Sequence, residues 1–196
     1  MNAIVEPKRR RDAAATRAGI LEAAKIAFTQ HGYDGVGVRD IAARAGVDPA
    51  LINRYFGAKQ ALFAEVMAGA LDLAPFLTND RAGFGERLAQ AFVTTRFAPD
   101  AFRPMLAMMR SAASPEAAAV LRQCLDDGLA KPLAAWLGGA DARARAGLIL
   151  AQLTGFFTLR TVLGVSSLGE ASEEALVRQL APILQLYVEC GAAKAG

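Results

Sequence analysis

Asn53 and Arg54 stand side by side in the stretch Val38 to Phe56, VRDIAARAGVDPALINRYF, and are the residues best suited to reading another molecule. Asn can pair bidentately with adenine and Arg with guanine in a major groove, and an apolar side chain such as Leu51 can meet a thymine methyl. Pro49 and Ala50 precede them on the same short segment. Tyr55 offers a hydroxyl to a neighbouring phosphate, or is a core aromatic with its OH at the rim. Lys59, at the start of the next helical pattern, is placed to bind a phosphate at a helix N-terminus. Arg39 can add a phosphate contact or be solvated.

The elements that must hold these side chains are legible around them. Val38, Ile41, Ala42 and Ala45 fall at i, i+3, i+4 and i+7, one apolar stripe of a helix. Gly46 stops that helix, as a residue free to take positive φ does. Asp48 is a good N-cap, and Pro49 suits the first helical position because its missing N–H costs nothing there. The second helix buries Ile52 and Phe56 and leaves Pro49, Ala50, Leu51, Asn53 and Arg54 on its other faces. Helix, short Gly-containing turn, helix is the helix-turn-helix pattern, although an ordinary helical hairpin has the same spacing.

The stretch GVRDIAARAGVDPALINRYFGAKQALF resembles the DNA-binding domain of the tetracycline-repressor (TetR/AcrR) family of transcriptional regulators. The likeness runs from about Arg11 to Ala68 and includes the Ile-Ala pair, Ala-Gly-Val, the Tyr-Phe pair and the following Lys. It departs at one point. The family commonly caps the second helix with a Ser or Thr that also touches a phosphate; here the cap position is Gly37. A second, weaker likeness, from about Ala142 to Val188, is to a C-terminal domain common among actinobacterial-type members. The resemblance implies a double-stranded DNA operator, a homodimer and a small-molecule effector as partners.

Composition fits an all-α chain. Of 196 residues, 54% are hydrophobic, with no strict alternation and no run of about eighteen apolar residues, so neither a sheet nor a membrane span is expected. No apolar segment follows the charged N-terminus, so no signal peptide is expected and the location is cytoplasmic. Cys124 and Cys190 are far apart and read as two free thiols. No Ser/His/Asp set, metal-ligand spacing or phosphate-cradling Gly-rich loop occurs, so no catalytic residue, metal or cofactor is expected. His31, the only histidine, sits at a helix C-terminus and reads as structural. Residues 1–60 hold ten Lys/Arg against six Asp/Glu, whereas the remainder holds twelve against thirteen, as for a basic head on a near-neutral body.

Three segments follow. Residues 1–11, ending in Lys8, Arg9, Arg10 and Arg11, read as a basic arm that tracks phosphates or as a solvated tail. Residues 12–74 form the helix-turn-helix domain, with a first helix from about Asp12 to His31 ended by Gly32. Residues 75–196 form a helical effector-binding and dimerisation domain. Its expected helices run from Phe84 to about Phe97, from Ala101 to about Ser111, and from Ser114 towards Leu137 with a bend at Pro132. Two more run from a cap at Asp141 to about Leu163, and from Ser172 to about Cys190 with Pro182 inside.

Two faces of this domain read as a dimer interface. Gly147, Ala151 and Thr158 belong to a stripe of small residues, and Leu176, Leu180, Ile183 and Tyr187 follow a 4-3-4 seam. One chain cannot obviously bury both stripes, whereas a two-fold pairing of these helices would; the alternative is that both are internal core. Phe84, Met105, Met108, Met109, Trp136 and Phe156 are Met and aromatic residues at helical spacing, either core or an adaptable apolar pocket; Gln152 and Arg160 are its polar candidates. The function these features imply is a repressor released from its operator by a small apolar or amphipathic effector. The alternative is a DNA-binding regulator controlled by a partner protein or with no effector.

Overall fold

A computed structural model describes residues 7–70, 72–95 and 103–190, with side chains from Asp12 onward. The described residues form helices α1 (Pro7–His31), α2 (Val38–Ala45), α3 (Pro49–Phe56), α4 (Lys59–Ala68), α5 (Phe84–Thr94) and α6 (Pro104–Ser111). There follow α7 (Pro115–Leu125), α8 (Lys131–Leu137), α9 (Ala142–Phe157), α10 (Ser166–Gly169) and α11 (Glu173–Glu189). No strand occurs among the described residues, as the all-α reading expects.

Helix α1 begins at Pro7, five residues before the expected start. Pro at the first position of a helix loses no hydrogen bond and has φ already set. Residues 8–11 form the first turn of this helix. The side chains of Arg9, Arg10 and Arg11, expected to follow phosphates, lie outside the described residues.

The chain gathers into two units, and the division is not linear. The first holds residues 1–70 together with 98–122, and the second holds 71–97 with 123–196. Helix α6 and most of α7, in the segment expected to form the C-terminal domain, thus pack with the head helices. The cause is the far end of α1. Arg110 Nη1 donates to the carbonyls of Thr29 and Gln30, both at 2.6 Å, and the Tyr33 backbone N–H donates to Ser111 Oγ at 2.9 Å. Gly32, at φ +70, lets the backbone of Arg110 pass where a Cβ would collide with it. Ile20, Ala24, Phe28, Tyr33, Ile41, Ile52, Leu62, Phe63 and Val66 fill the core of this unit. Its aromatic centre is Phe28, Tyr33 and Phe63, with ring centroids 4.9 to 6.2 Å apart.

In the second unit α5 lies along α11, and α9 packs on both α8 and α11. Phe84, Leu88, Leu133, Ile149 and Leu184 are fully buried there. The helix that starts at Pro115 does run to Leu137, but residues 126–130 form a π turn, closed by Lys131 N–H to the Asp126 carbonyl. Pro132 explains it. A proline ring clashes with the carbonyl four residues earlier, here Gly128, and the wider turn relieves that clash. Helix α9 ends at Phe157 in a second π turn, 158–162, and the short α10 follows. Asp141 does precede α9, but at φ 53 and without a side-chain cap bond. Ser172 caps α11 as expected, its hydroxyl accepting from the Ala175 N–H at 3.2 Å.

Candidate nucleic-acid interface

Each end of the expected helix-turn-helix is fixed by a local bond. Gly37 is the N-cap of α2 and has no side chain to offer, so the cap works in reverse: Asp40 Oδ2 accepts from the Gly37 N–H at 2.8 Å. At the other end Gly46 takes φ 67, and the N–H groups of Gly46 and Val47 return to the carbonyls of Ala43 and Ala42. That pair of bonds satisfies the carbonyls a helix otherwise leaves open at its C-terminus. Asp48 Oδ1 then accepts the Ala50 N–H at 2.7 Å, with Pro49 in the first position of α3. Gly57, at φ 80, closes α3 by donating to the Asn53 carbonyl at 2.9 Å.

Burial sorts the faces of α3. Ile52 is fully buried and Phe56 is buried at the helix end. Ala50, Asn53 and Arg54 are exposed, and Pro49, Leu51 and Tyr55 are half-buried. Arg39, in the first turn of α2, is exposed. The Tyr55 ring packs edge-on to Phe56, with centroids 6.5 Å apart. The short helix therefore presents the two side chains capable of bidentate base recognition to solvent and holds its inner face by packing.

Lys59 is engaged within the protein. Its Nζ donates to the carbonyls of Tyr33 at 3.1 Å and Val36 at 3.3 Å, and lies 4.0 Å from the centroid of the Tyr33 ring. One further N–H of the ammonium is left for an anion, so Lys59 is a much more constrained phosphate ligand than a free side chain.

Sequence reasoning missed the group that ties α3 to its neighbours. Arg17 on α1 makes a bidentate pair with Glu65 on α4, at 2.7 and 2.6 Å, and its guanidinium stands 4.7 Å from the centroid of Phe56. Both side chains are more than a third exposed, so the pair itself adds little stability. Its effect is geometric: one planar fork spans α1, α3 and α4. No local pattern could reveal partners 48 residues apart.

The residues expected to form an effector pocket are divided. Met105, Met108 and Met109 lie on α6 in the first unit, whereas Phe84, Trp136, Gln152, Phe156 and Arg160 lie in the second. Phe84 is wholly buried with its ring 4.8 Å from that of Trp136, whose Nε1 donates to the Thr78 carbonyl at 2.9 Å. Arg160 Nη1 donates to the Val93 carbonyl at 2.7 Å, and its guanidinium lies 5.7 Å from the Phe156 ring centroid.

The expected dimer residues separate into two sets. Leu176 and Leu180 are core residues of the second unit, a correction to the seam. The inward stripe of α11 advances in fours through Leu176, Leu180, Leu184 and Val188, while Ile183 is 43% and Leu186 54% exposed. A helix with apolar residues on two faces admits both patterns, and only packing chooses. Tyr187 is half-buried. On α9, Gly147 and Ala151 are exposed beside Leu148, and a Cβ added at Gly147 would meet nothing within 4 Å. Thr158 is half-buried and its hydroxyl donates to the Thr154 carbonyl.

A capped recognition-type helix, locked at both ends behind a glycine turn on a helical body, defines a helix-turn-helix protein. Residues 20–66 match the family described as bacterial regulatory proteins, tetR family, and residues 82–188 match the tetracyclin repressor-like C-terminal domain. The chain belongs to the TetR family of transcriptional regulators. A stretch of 82 residues is 43% identical to the HTH-type transcriptional repressor SCO4008 of Streptomyces coelicolor, covering 40% of this chain and 43% of that one. Over 66 residues it is 35% identical to the HTH-type transcriptional repressor BdcR of Escherichia coli, covering 31% of this chain and 34% of that one. The chain thus spans less than half the length of the curated relatives it matches. Among solved structures, a TetR-family regulator of Streptomyces coelicolor, SCO0857, is similar with a TM-score of 0.60 and 26% identity, over 96% of this chain and 99% of that one. No helix among the described residues is long and apolar enough to cross a membrane.

Proposed function

We propose that this protein is a sequence-specific repressor of transcription that binds a double-stranded DNA operator as a homodimer in the cytoplasm. The observation that carries the reading is the exposure of Ala50, Asn53 and Arg54 on the helix whose other face is locked by Ile52 and Phe56. In helix-turn-helix proteins the N-terminal residues of the second helix meet base edges. Asn53 and Arg54 supply base recognition, and Arg39, Tyr55 and Lys59 supply phosphate contacts that fix register. Release by a small apolar or amphipathic effector completes the reading. Such an effector acts by population shift, and its effect is bounded by its differential affinity for the DNA-competent and other states.

The test is binding to an operator found by genomic footprinting. Asn53→Ala and Arg54→Ala are each expected to cost about 1–3 kcal/mol on that site and far less on random duplex. Equal losses on both DNAs would remove base recognition from these side chains. Titration with a library of apolar compounds separates effector control from control by a partner protein or none.

Homodimer formation is supported by the exposed apolar stripe of α11 and the open small-residue face of α9. Ile183→Glu and Gly147→Leu touch only exposed positions, unlike Leu180→Glu, which would put a charge in the monomer core. Sedimentation at micromolar concentration is expected to show monomers for both variants, with thermal stability of the monomer unit retained. An unchanged dimer in both would place the interface on another face.

A further inference from the structure

We propose that Tyr33 is a positioning residue through which the corner between α6 and α7 sets the phosphate-binding end of α4. The inference deepens the DNA-binding reading and rests on it.

Every part of Tyr33 is tied to a different element. Its backbone N–H donates to Ser111 Oγ, on α6, at 2.9 Å. Ser111 is only 1% exposed, and its hydroxyl hydrogen is directed to the Ala107 carbonyl at 2.6 Å, so the oxygen is held with its lone pairs toward Tyr33. The carboxylate of Glu116, on α7, is the charged group that acts most strongly on the phenol. Burial, reinforced by that carboxylate and by Asp34, pushes the phenol far above its ordinary value, so it stays protonated and remains a donor. The ring packs between Phe28 of α1 and Phe63 of α4. Next to it, Ser114 Oγ donates to Asp34 Oδ1 at 3.0 Å, a second bond between the same corner and the same loop.

What Tyr33 gives in return goes to Lys59. Its carbonyl and ring face fix the ammonium at 3.1 and 4.0 Å, and the Val36 carbonyl adds the third restraint. Two N–H groups of the ammonium are therefore spent on a frame, and the direction of the remaining one is set by where Tyr33 lies. Lys59 opens α4, whose N-cap, Ala58, has no side chain to satisfy the first N–H groups. The ligand class for such a terminus with a lysine beside it is the DNA phosphate. A shift of the Tyr33 carbonyl and ring moves the frame that holds the lysine beside that terminus. Ser111 and Glu116 thereby act on a phosphate contact they do not touch.

The test uses the full chain and a mixed-sequence 30-base-pair duplex as probe, because phosphate contacts are independent of sequence. The readout is the slope of log binding constant against log salt, which loses about 0.9 for each phosphate contact removed. Lys59→Met, which removes one contact from each head of the dimer, is expected to lower the slope by about 1.8. Ser111→Ala is expected to lower it nearly as far, and the double variant no further than Lys59→Met alone. A purely structural Ser111 would shift melting temperature and leave the slope of the folded protein intact; that result, or an additive double variant, overturns the inference. Glu116→Ala, at an exposed position, carries the same test if Ser111→Ala does not fold. The underlying reading fails separately: a wild-type protein with no salt-dependent DNA binding removes the DNA function, whereas salt-dependent binding unaffected by Lys59→Met removes only this inference.

Discussion

Replacing Arg145 by Met is expected to lower unfolding stability by about 3–5 kcal/mol, among the largest effects of a single substitution in this chain. Arg145 is 6% exposed and lies on the buried side of α9. A buried guanidinium ordinarily needs a carboxylate, yet every hydrogen bond resolved here goes to a main-chain carbonyl. Nε donates to Ala140 at 3.1 Å, Nη1 to Tyr187 at 2.8 Å, and Nη2 to Gly138 in a short contact. Gly138 is the C-cap of α8, and Tyr187 lies in the last turn of α11. Carbonyls at helix C-termini have no partner within the helix and carry the negative end of the macrodipole. One cation thus satisfies the ends of two helices and the turn between α8 and α9. Met fills a similar volume but leaves these carbonyls dry and unbonded. Lys keeps the charge without the fork and is expected to recover less than half. Denaturant unfolding reads the difference, and the melting temperature should fall by roughly 10 °C. A loss below about 1 kcal/mol would mean that water replaces the guanidinium freely.

Gly85→Ala is the second large effect, expected at about 3 kcal/mol, the upper end of ordinary overpacking. Gly85 is buried at the crossing of α5 and α11. A Cβ there would run into the carbonyl oxygen of Ala181 and lie 2.8 Å from the Gln185 backbone nitrogen and 2.9 Å from its Cβ. These are mainly backbone atoms and cannot rotate away, so the helices must separate. Separation also stretches the Gly85 N–H to Gln185 Oε1 bond of 3.0 Å and the Gln185 Nε2 to Arg81 carbonyl bond of 3.1 Å. The control is the same substitution on α1. At Gly19, exposed within that helix, the added methyl meets nothing within 4 Å, so Gly19→Ala is expected to gain about 0.5–1 kcal/mol from helix propensity alone. Similar melting temperatures for the two variants would show that α5 and α11 are not held at the separation seen here.

The helix-turn-helix was legible because its instructions are local. Gly46, Asp48 and Pro49 each act within four residues of their own position, through positive φ, a side-chain acceptor and a missing donor. The inner pair Ile52 and Phe56 follows from the helical period alone, and so does the outer pair Asn53 and Arg54. Gly37 was readable as the cap, but the reversal of that cap by Asp40 needed the structure. The lysine at the start of α4 was readable as a cation beside a helix terminus, but not its engagement by Tyr33 and Val36.

By itself the sequence determined an all-helical chain, the order and most boundaries of its helices, and the outward face of α3, since these follow from propensity, period and capping within a few residues. Tertiary structure decided the rest. It packed α6 against the end of α1, through bonds between residues some 80 positions apart. It sent Leu176 and Leu180 inward and left Ile183 and Leu186 exposed, although all four are apolar and all lie on one helix. It also gave Gly85 and Arg145 their structural parts, because a close helix crossing and an orphan carbonyl exist only once two helices have met. Period and propensity act on one helix at a time, whereas burial and hydrogen-bond satisfaction are properties of pairs.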